Sequence, residues 1–176
     1  MEVIQLVIKK NGHFPNNETL PVLHYQDVLK LSGNAEHNEK IITGIFQTHS
    51  WNNSWVDGIY DYHHYHSNTH EVLGILSGSC SVMLGGDKGI RYNLSKGDVL
   101  IIPAGVSHKK ISASEDFECV GAYPGDTMYD LKYGLPDELE EAEETISKVP
   151  TPETDPVYGL KGPLFDYWKI SRNINI

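Results

Sequence analysis

Residues 62–71, Tyr62-His63-His64-Tyr65-His66-Ser67-Asn68-Thr69-His70-Glu71, place four of the chain's nine histidines and a carboxylate within ten positions. Spacing decides which of them can act together. On a helix, residues two apart point about 200° away from each other, so a His-x-His pair cannot close on one ion. On a strand, side chains at i and i+2 share a face with their bases roughly 6.5 to 7 Å apart, close enough for two imidazoles to converge on one metal. His64 and His66 form such a pair, and His63, out of step with them, faces away. Ser67-Asn68-Thr69 is a turn-prone tripeptide after which the chain re-enters as a second extended run. The next ligand is His70 or Glu71 but not both, because adjacent strand residues face opposite ways. Val72, Leu73, Ile75 and Leu76 make both faces of that run apolar, so parity leaves the choice open.

Around this stretch, Gly58 to Gly78 reads G-x5-H-x-H-x4-E-x6-G, with Gly58, His64, His66, Glu71 and Gly78 at the fixed places. Eighteen residues further on, Gly97 to His108 (GDVLIIPAGVSH) reads G-x5-P-x-G-x2-H. The two stretches resemble the first and second motifs of the cupin superfamily. The resemblance selects Glu71 over His70, and departs from the family's frequent pattern at Ser112, where asparagine is common but is not a ligand. The flanks WNNSWVDGIYDYHHYH, GAYPG and DPVYG further resemble a small group of bacterial single-domain cupins of the YjlB type, which sharpens the fold without naming a substrate.

The resemblance implies an all-β jelly-roll barrel, a double-stranded β-helix, whose interior holds one divalent transition metal on His64, His66, Glu71 and His108. Three neutral imidazoles and one carboxylate leave such an ion a Lewis acid. Nitrogen and oxygen donors without thiolate suit Fe, Mn, Ni, Co or Zn. With four protein ligands an octahedral ion keeps two positions open for substrate or dioxygen. From what is frequent in the family it resembles, a metal-dependent oxidoreductase of dioxygenase type acting on a small molecule is the expected function. A metal-dependent isomerase or decarboxylase is the first alternative, and a non-catalytic small-molecule binding or sensing cupin the second.

The 176 residues are the size of one domain, expected to divide into an N-terminal strand and helix extension (1–55), a barrel core (about 56–124) and a C-terminal helix with an irregular arm (125–176). Fourteen basic residues against twenty-four acidic give a net charge of -10, which disfavours nucleic acid and anionic membrane surfaces as partners. The opening MEVIQLVIKK lacks the small-residue cleavage site of a signal peptide, and no run approaches the roughly 18 apolar residues of a membrane span. A cytoplasmic protein with reduced Cys80 and Cys119 is expected, and a homodimer is a further expectation from the family.

Val3 to Ile8 reads as a strand, whereas the prolines and paired asparagines of HFPNNETLPVL (13–23) are expected to exclude regular structure. Ile41, Ile42, Ile45 and Phe46 follow helical spacing within NEKIITGIFQTHSW (38–51). Short β-rich runs separated by glycine turns follow from Gly58 to Tyr123. LPDELEEAEETISKV (135–149) is a helix, with Leu135, Leu139, Ala142 and Ile146 along one side and Pro136 in its first turn. The aromatic arm VPTPETDPVYGLKGPLFDYWK (149–169) packs along the barrel.

If the His64 strand begins near Gly58, parity sends Tyr60 and Tyr62 to its metal side as candidate pocket residues, joined by Tyr123 and Trp55. Arg91 and Lys96 are the cations between the motifs that an anionic substrate would use. Pro103-Ala104-Gly105 is the turn presenting His108. Gly85-Gly86-Asp87-Lys88-Gly89 is a hairpin turn rather than a phosphate loop, since no GK[ST] opens a helix after it. Ser107 beside His108 has no triad geometry by adjacency alone.

Overall fold

The computed structural model describes residues 2–169. Among the described residues nine strands carry the fold: β1 (Glu2–Ile8), β2 (Asn17–Gln26), β3 (Trp51–Asp57), β4 (Glu71–Ser77), β5 (Ser79–Leu84), β6 (Ile90–Ser95), β7 (Val99–Ile102), β8 (His108–Ala113) and β9 (Glu118–Pro124). They form two antiparallel sheets, one of six strands in the order β1-β2-β7-β4-β9-β3 and one of three in the order β6-β5-β8. Helix α1 (Ala35–Thr48) lies between β2 and β3, and helices α2 (Leu139–Ser147) and α3 (Leu164–Tyr167) follow the last strand. Among the described residues no helix is long and apolar enough to cross a membrane.

Both faces of the central strands are buried, which explains their unbroken apolar sequence. Inward-facing Leu73, Ile75, Leu100, Ile102, Val82, Leu84 and Cys119 pack between the sheets. Outward-facing Val72, Leu76, Val99, Ile101 and Val120 pack beneath Ile42 and Phe46 of α1 and beneath Leu164 and Trp168 of the C-terminal arm. Asn34 caps α1 by accepting a hydrogen bond from the His37 amide at 2.9 Å. The helix stops at Thr48, not Trp51. Ser50 turns the chain in the left-handed region (φ 60°), and Trp51 opens β3 instead.

The expectation that residues 13–23 lack regular structure is corrected: β2 starts at Asn17 and runs through Pro21. Pro21 is tolerated because it falls in the register shift of the β1 pairing, between the Leu6–Val22 and Ile8–Asn17 partners, and before the β7 pairing begins at Leu23. The paired asparagines have a positive role. Asn16, left-handed at φ 51°, donates to the carbonyls of Lys9 and Gly85 and accepts from the Ser107 amide, while Asn17 donates to the Ala104 carbonyl. Together they tie the β1–β2 connection to the turn that leads into β8. In the helix at 135–149, Pro136–Glu138 form a 3-10 turn before α2, and Ala142 is the fully buried member of its inner side.

Candidate metal centre

The turn after β7 positions the second motif. Gly105 adopts φ 90°, and a Cβ there would lie 2.7 Å from the Asn16 carbonyl oxygen, so glycine alone fits. Val106 N–H closes the turn on the Pro103 carbonyl at 3.1 Å, and Gly105 N–H donates to the His66 carbonyl at 2.8 Å. His64 and His108 exchange two backbone hydrogen bonds of 3.2 and 2.9 Å. A regular strand from Gly58 is not what holds the His-x-His pair. β3 ends at Asp57, and residues 58–70 are irregular apart from single bridges at His64–His108 and Tyr65–Lys132. Those bridges supply the extended geometry that spacing required.

The side chains of His64, His66, Glu71 and His108 are all buried and line one cavity. One ring nitrogen from each of His64, His66 and His108 lies within 4.8 Å of the others. Each imidazole places Nδ1 on a backbone carbonyl: His64 on Tyr62 at 3.1 Å, His66 on Asp130 at 2.5 Å, and His108 on Val106 at 3.1 Å. A carbonyl accepts only from N–H, so each neutral ring carries its proton on Nδ1 and keeps the Nε2 lone pair free. Glu71, the first residue of β4, sets Oε2 at 3.1 Å from His108 Nε2 and 3.6 Å from His66 Nε2. Tyr123 donates to its other oxygen, Oε1, at 3.1 Å, and accepts from Trp55 Nε1 at 2.7 Å.

This arrangement leaves Glu71 Oε2 buried without a hydrogen-bond donor. A carboxylate oxygen and nitrogen lone pairs facing each other at this range repel unless a positive charge stands among them. Burial raises the Glu71 carboxyl, but His66 and His108 overcome it and hold the group below the ordinary carboxylate range. Burial lowers His66, yet the Glu71 charge leaves it raised on balance. Burial and then His108 hold His64 down to about 3, so it stays an unprotonated donor near neutrality. A divalent cation bound by nitrogen and carboxylate oxygen fits this set.

Beside the cluster opens a cavity of about 220 Å3, lined by Trp55, Ile59, Tyr60, Leu73, Tyr123 and Tyr129 together with the three histidines, Glu71 and Asp57. Tyr123 is buried at the cluster. Tyr60 lines the cavity while 45% exposed, and it stacks at 4.9 Å on Tyr62, which is 38% exposed and outside the lining; both rings stand edge-on to His64. The irregular backbone of 58–63 replaces strand parity, so the two tyrosines do not share one place. Arg91 lies on β6, its Nε bonded to Ser81, and neither it nor Lys96 lines the cavity.

The remaining histidines lie outside the cluster. His70 faces the outer side of the sheet, where its Nδ1 accepts from the Ala104 amide at 2.9 Å and its ring meets Trp168. His63 bonds Asp87 at 3.1 Å and touches Ser107 Oγ at 3.5 Å. That Ser-His-Asp sequence of contacts is no hydrolase site, because Ser107 is fully buried and out of a substrate's reach. Tyr129 and Asp130 were not legible in advance. They lie in a loop beyond the second motif, and no spacing rule connects them to His66.

A family model described as "Cupin domain" matches residues 56–121. The chain is 45% identical over 158 residues to the uncharacterized protein YjlB of Bacillus subtilis (strain 168), covering 90% of this chain and 92% of that protein. Among solved structures, acireductone dioxygenase from Bacillus anthracis, with a cadmium ion in its active centre, overlaps 64% of this chain and 83% of its own at 18% identity, with a TM-score of 0.42. The WlaRB TDP-quinovose 3,4-ketoisomerase from Campylobacter jejuni overlaps 51% of this chain and 74% of its own at 20% identity, with a TM-score of 0.40.

Proposed function

The chain belongs to the cupin family, as a relative of YjlB, and on that premise we propose that it is a metal-dependent oxidoreductase of dioxygenase type acting on a small molecule. The observation that carries this reading is the grouping of three buried imidazoles, each with Nδ1 held on a carbonyl, two of them beside a Glu71 oxygen that lacks a donor among the described residues. His64, His66, His108 and Glu71 would hold one divalent transition metal. When bound, such an ion supplies Lewis acidity and, if Fe or Mn, redox capacity.

The protein's own residues do the rest. Tyr123, held by Trp55 Nε1–H, donates to Glu71 and keeps one carboxylate oxygen turned to the cluster. Ile59, Leu73 and the faces of Trp55, Tyr60 and Tyr129 exclude water from the cavity and orient a substrate body within it. Beyond the proposed ligands the one carboxylate in the lining is Asp57, and the remaining polar groups there are the hydroxyls of Tyr60, Tyr123 and Tyr129 and the Trp55 indole N–H. Buried, unpaired Cys80 and Cys119 accord with a cytoplasmic setting.

The test is elemental analysis of untagged protein beside His64→Ala and His108→Ala, followed by oxygen-uptake assays of Fe- and Mn-loaded protein with a panel of small ring-bearing compounds. Stoichiometric Fe or Mn with substrate-dependent uptake supports the proposal. Stoichiometric Zn or Ni without uptake transfers the assignment to Lewis-acid chemistry or binding, and equal metal in wild type and variants removes the site.

A further inference from the structure

After β9 the chain crosses beside the cluster as a strap, residues 126–133, with neither helix nor strand of its own. Residues 126–129 are exposed, Met128 to 73%, so apolar burial does little to hold it. Hydrogen bonds hold it instead: Asn52 and Asn53 of β3 donate to the Asp126 carboxylate at 3.2 Å and the Thr127 carbonyl at 3.1 Å, and others run to the His66 loop. Ser67 N–H and Oγ–H donate to the Asp130 carboxylate at 2.7 and 2.5 Å. Asp130 N–H donates to Asn68 Oδ1 at 3.0 Å, and Asn68 Nδ2 donates to the Met128 carbonyl at 2.9 Å. Tyr65 and Lys132 exchange two backbone hydrogen bonds of 3.0 Å. The Asp130 carbonyl is itself the acceptor for His66 Nδ1, and Tyr129 lays its ring on both His66 and Tyr123.

Neither segment is itself helix or strand; β3 holds 126 and 127, but the hydrogen bonds of 128–130 run to the His66 loop, so the loop and this part of the strap order each other. Such segments belong to the low-stability end of a fold, where local opening is governed by a few contacts. Fixing one side lowers the entropy cost of ordering the other, and the effect is reciprocal.

We propose that Asp130 is a positioning residue for the metal centre: its carbonyl orients His66 and its carboxylate clamps Ser67, so that ion binding and ordering of the 126–133 strap are one coupled equilibrium. This rests on the reading of the cluster as a metal centre. The carboxylate touches no ligand; it acts by holding the backbone that carries the His66 acceptor.

The test uses full-length protein with Co2+ and Zn2+ in competition with a chromophoric chelator. Asp130→Ala is expected to bind at least about tenfold more weakly, with an altered visible Co2+ spectrum. Asp130→Asn keeps an acceptor for the Ser67 amide and offers Nδ2–H to Ser67 Oγ, so it restores affinity to within about threefold of wild type. Ser67→Ala, which removes one bond of the clamp, falls between them and serves if Asp130→Ala does not fold. Asp87→Ala removes a nearby charge that touches no proposed ligand and leaves affinity unchanged. In wild type, adding the ion slows amide hydrogen exchange across 126–133. Wild-type affinity and spectrum in both Asp130→Ala and Ser67→Ala, or exchange in the strap indifferent to the ion, overturns the coupling while the metal centre stands. Wild-type protein that binds no ion overturns both.

Discussion

The Tyr123 hydroxyl donates to Glu71 Oε1 at 3.1 Å while accepting the indole N–H of Trp55, so one phenol links β9, β4 and β3 at the cluster. Burial and then the Glu71 charge push its ionisation far above the usual range, so Tyr123 remains a donor at any working pH. Tyr123→Phe leaves the Glu71 oxygen and the Trp55 N–H without their partner. The expected result is a loss of metal affinity of about tenfold and of roughly 1 kcal/mol in stability. Chelator competition and denaturant titration measure the two effects, and unchanged affinity would mean that Glu71 is oriented by the β4 backbone alone.

Asp155 ties the C-terminal arm to the outer face of the larger sheet. It is fully buried and accepts from Tyr25 Oη at 2.6 Å and from the amides of Val157, Tyr158 and Leu164 at 2.8, 3.0 and 3.2 Å. Asp155→Ala strands those donors and is expected to cost about 2–4 kcal/mol. A lowered melting temperature, with faster proteolysis within 149–169, is the result to look for. A thermally neutral variant would show that the apolar contacts of Leu164 and Trp168 suffice.

Two glycines make a contrasting pair. A Cβ on Gly74 of β4 would lie 2.8 Å from Ile42 Cγ2 and 3.1 Å from Phe46 Cζ, whereas one on Gly44 of α1 meets nothing within 4 Å. Gly74→Ala therefore forces α1 off the sheet and should destabilise by about 1–3 kcal/mol. Gly44→Ala in the helix interior should stabilise by about 0.5–1 kcal/mol. Urea midpoints of the two variants, moving in opposite directions, are the expected outcome.

Burial holds the His70 imidazole down to about 4, and its Nδ1 is committed to the Ala104 amide. The unfolded chain takes up a proton there as pH falls below its ordinary value of about 6.5, while the folded chain does not until about 4. The unfolded state thus binds more protons between these limits, and stability declines as pH falls from about 6.5 to about 4, then levels. His70→Asn keeps an acceptor for Ala104 and removes the titration, so its stability curve over that window should be flatter than wild type. Parallel curves would assign the acid sensitivity elsewhere.

Much was readable from the chain alone where the physics is local. The two glycine-spaced motifs are short, and each residue in them answers to a turn or a strand within a few positions, so the cupin fold and the His64, His66 and His108 grouping were legible without coordinates. Parity also separated His63 from His64. It stopped at His70 against Glu71, because β4 is covered on both faces and an apolar pattern then carries no direction. The motif resemblance chose Glu71, and the structure separates the two places, Glu71 lining the cavity and His70 under Trp168. The strand through Pro21 was missed for a related reason: whether a proline breaks a strand depends on which partner its missing N–H would have faced, and β1 and β7 are distant in sequence.

Tertiary structure decided everything that joins segments far apart along the chain. The placing of Tyr60 in the cavity lining and of Tyr62 outside it goes with bridges from 64–65 to 108 and 132, and the Nδ1 acceptor of His66 comes from Asp130, 64 positions away. Sequence determines which side chains can bind an ion, since that is a property of each residue and its near spacing. Which protons they carry, and which tyrosine faces the cavity, follow from contacts that exist only once the chain has closed on itself.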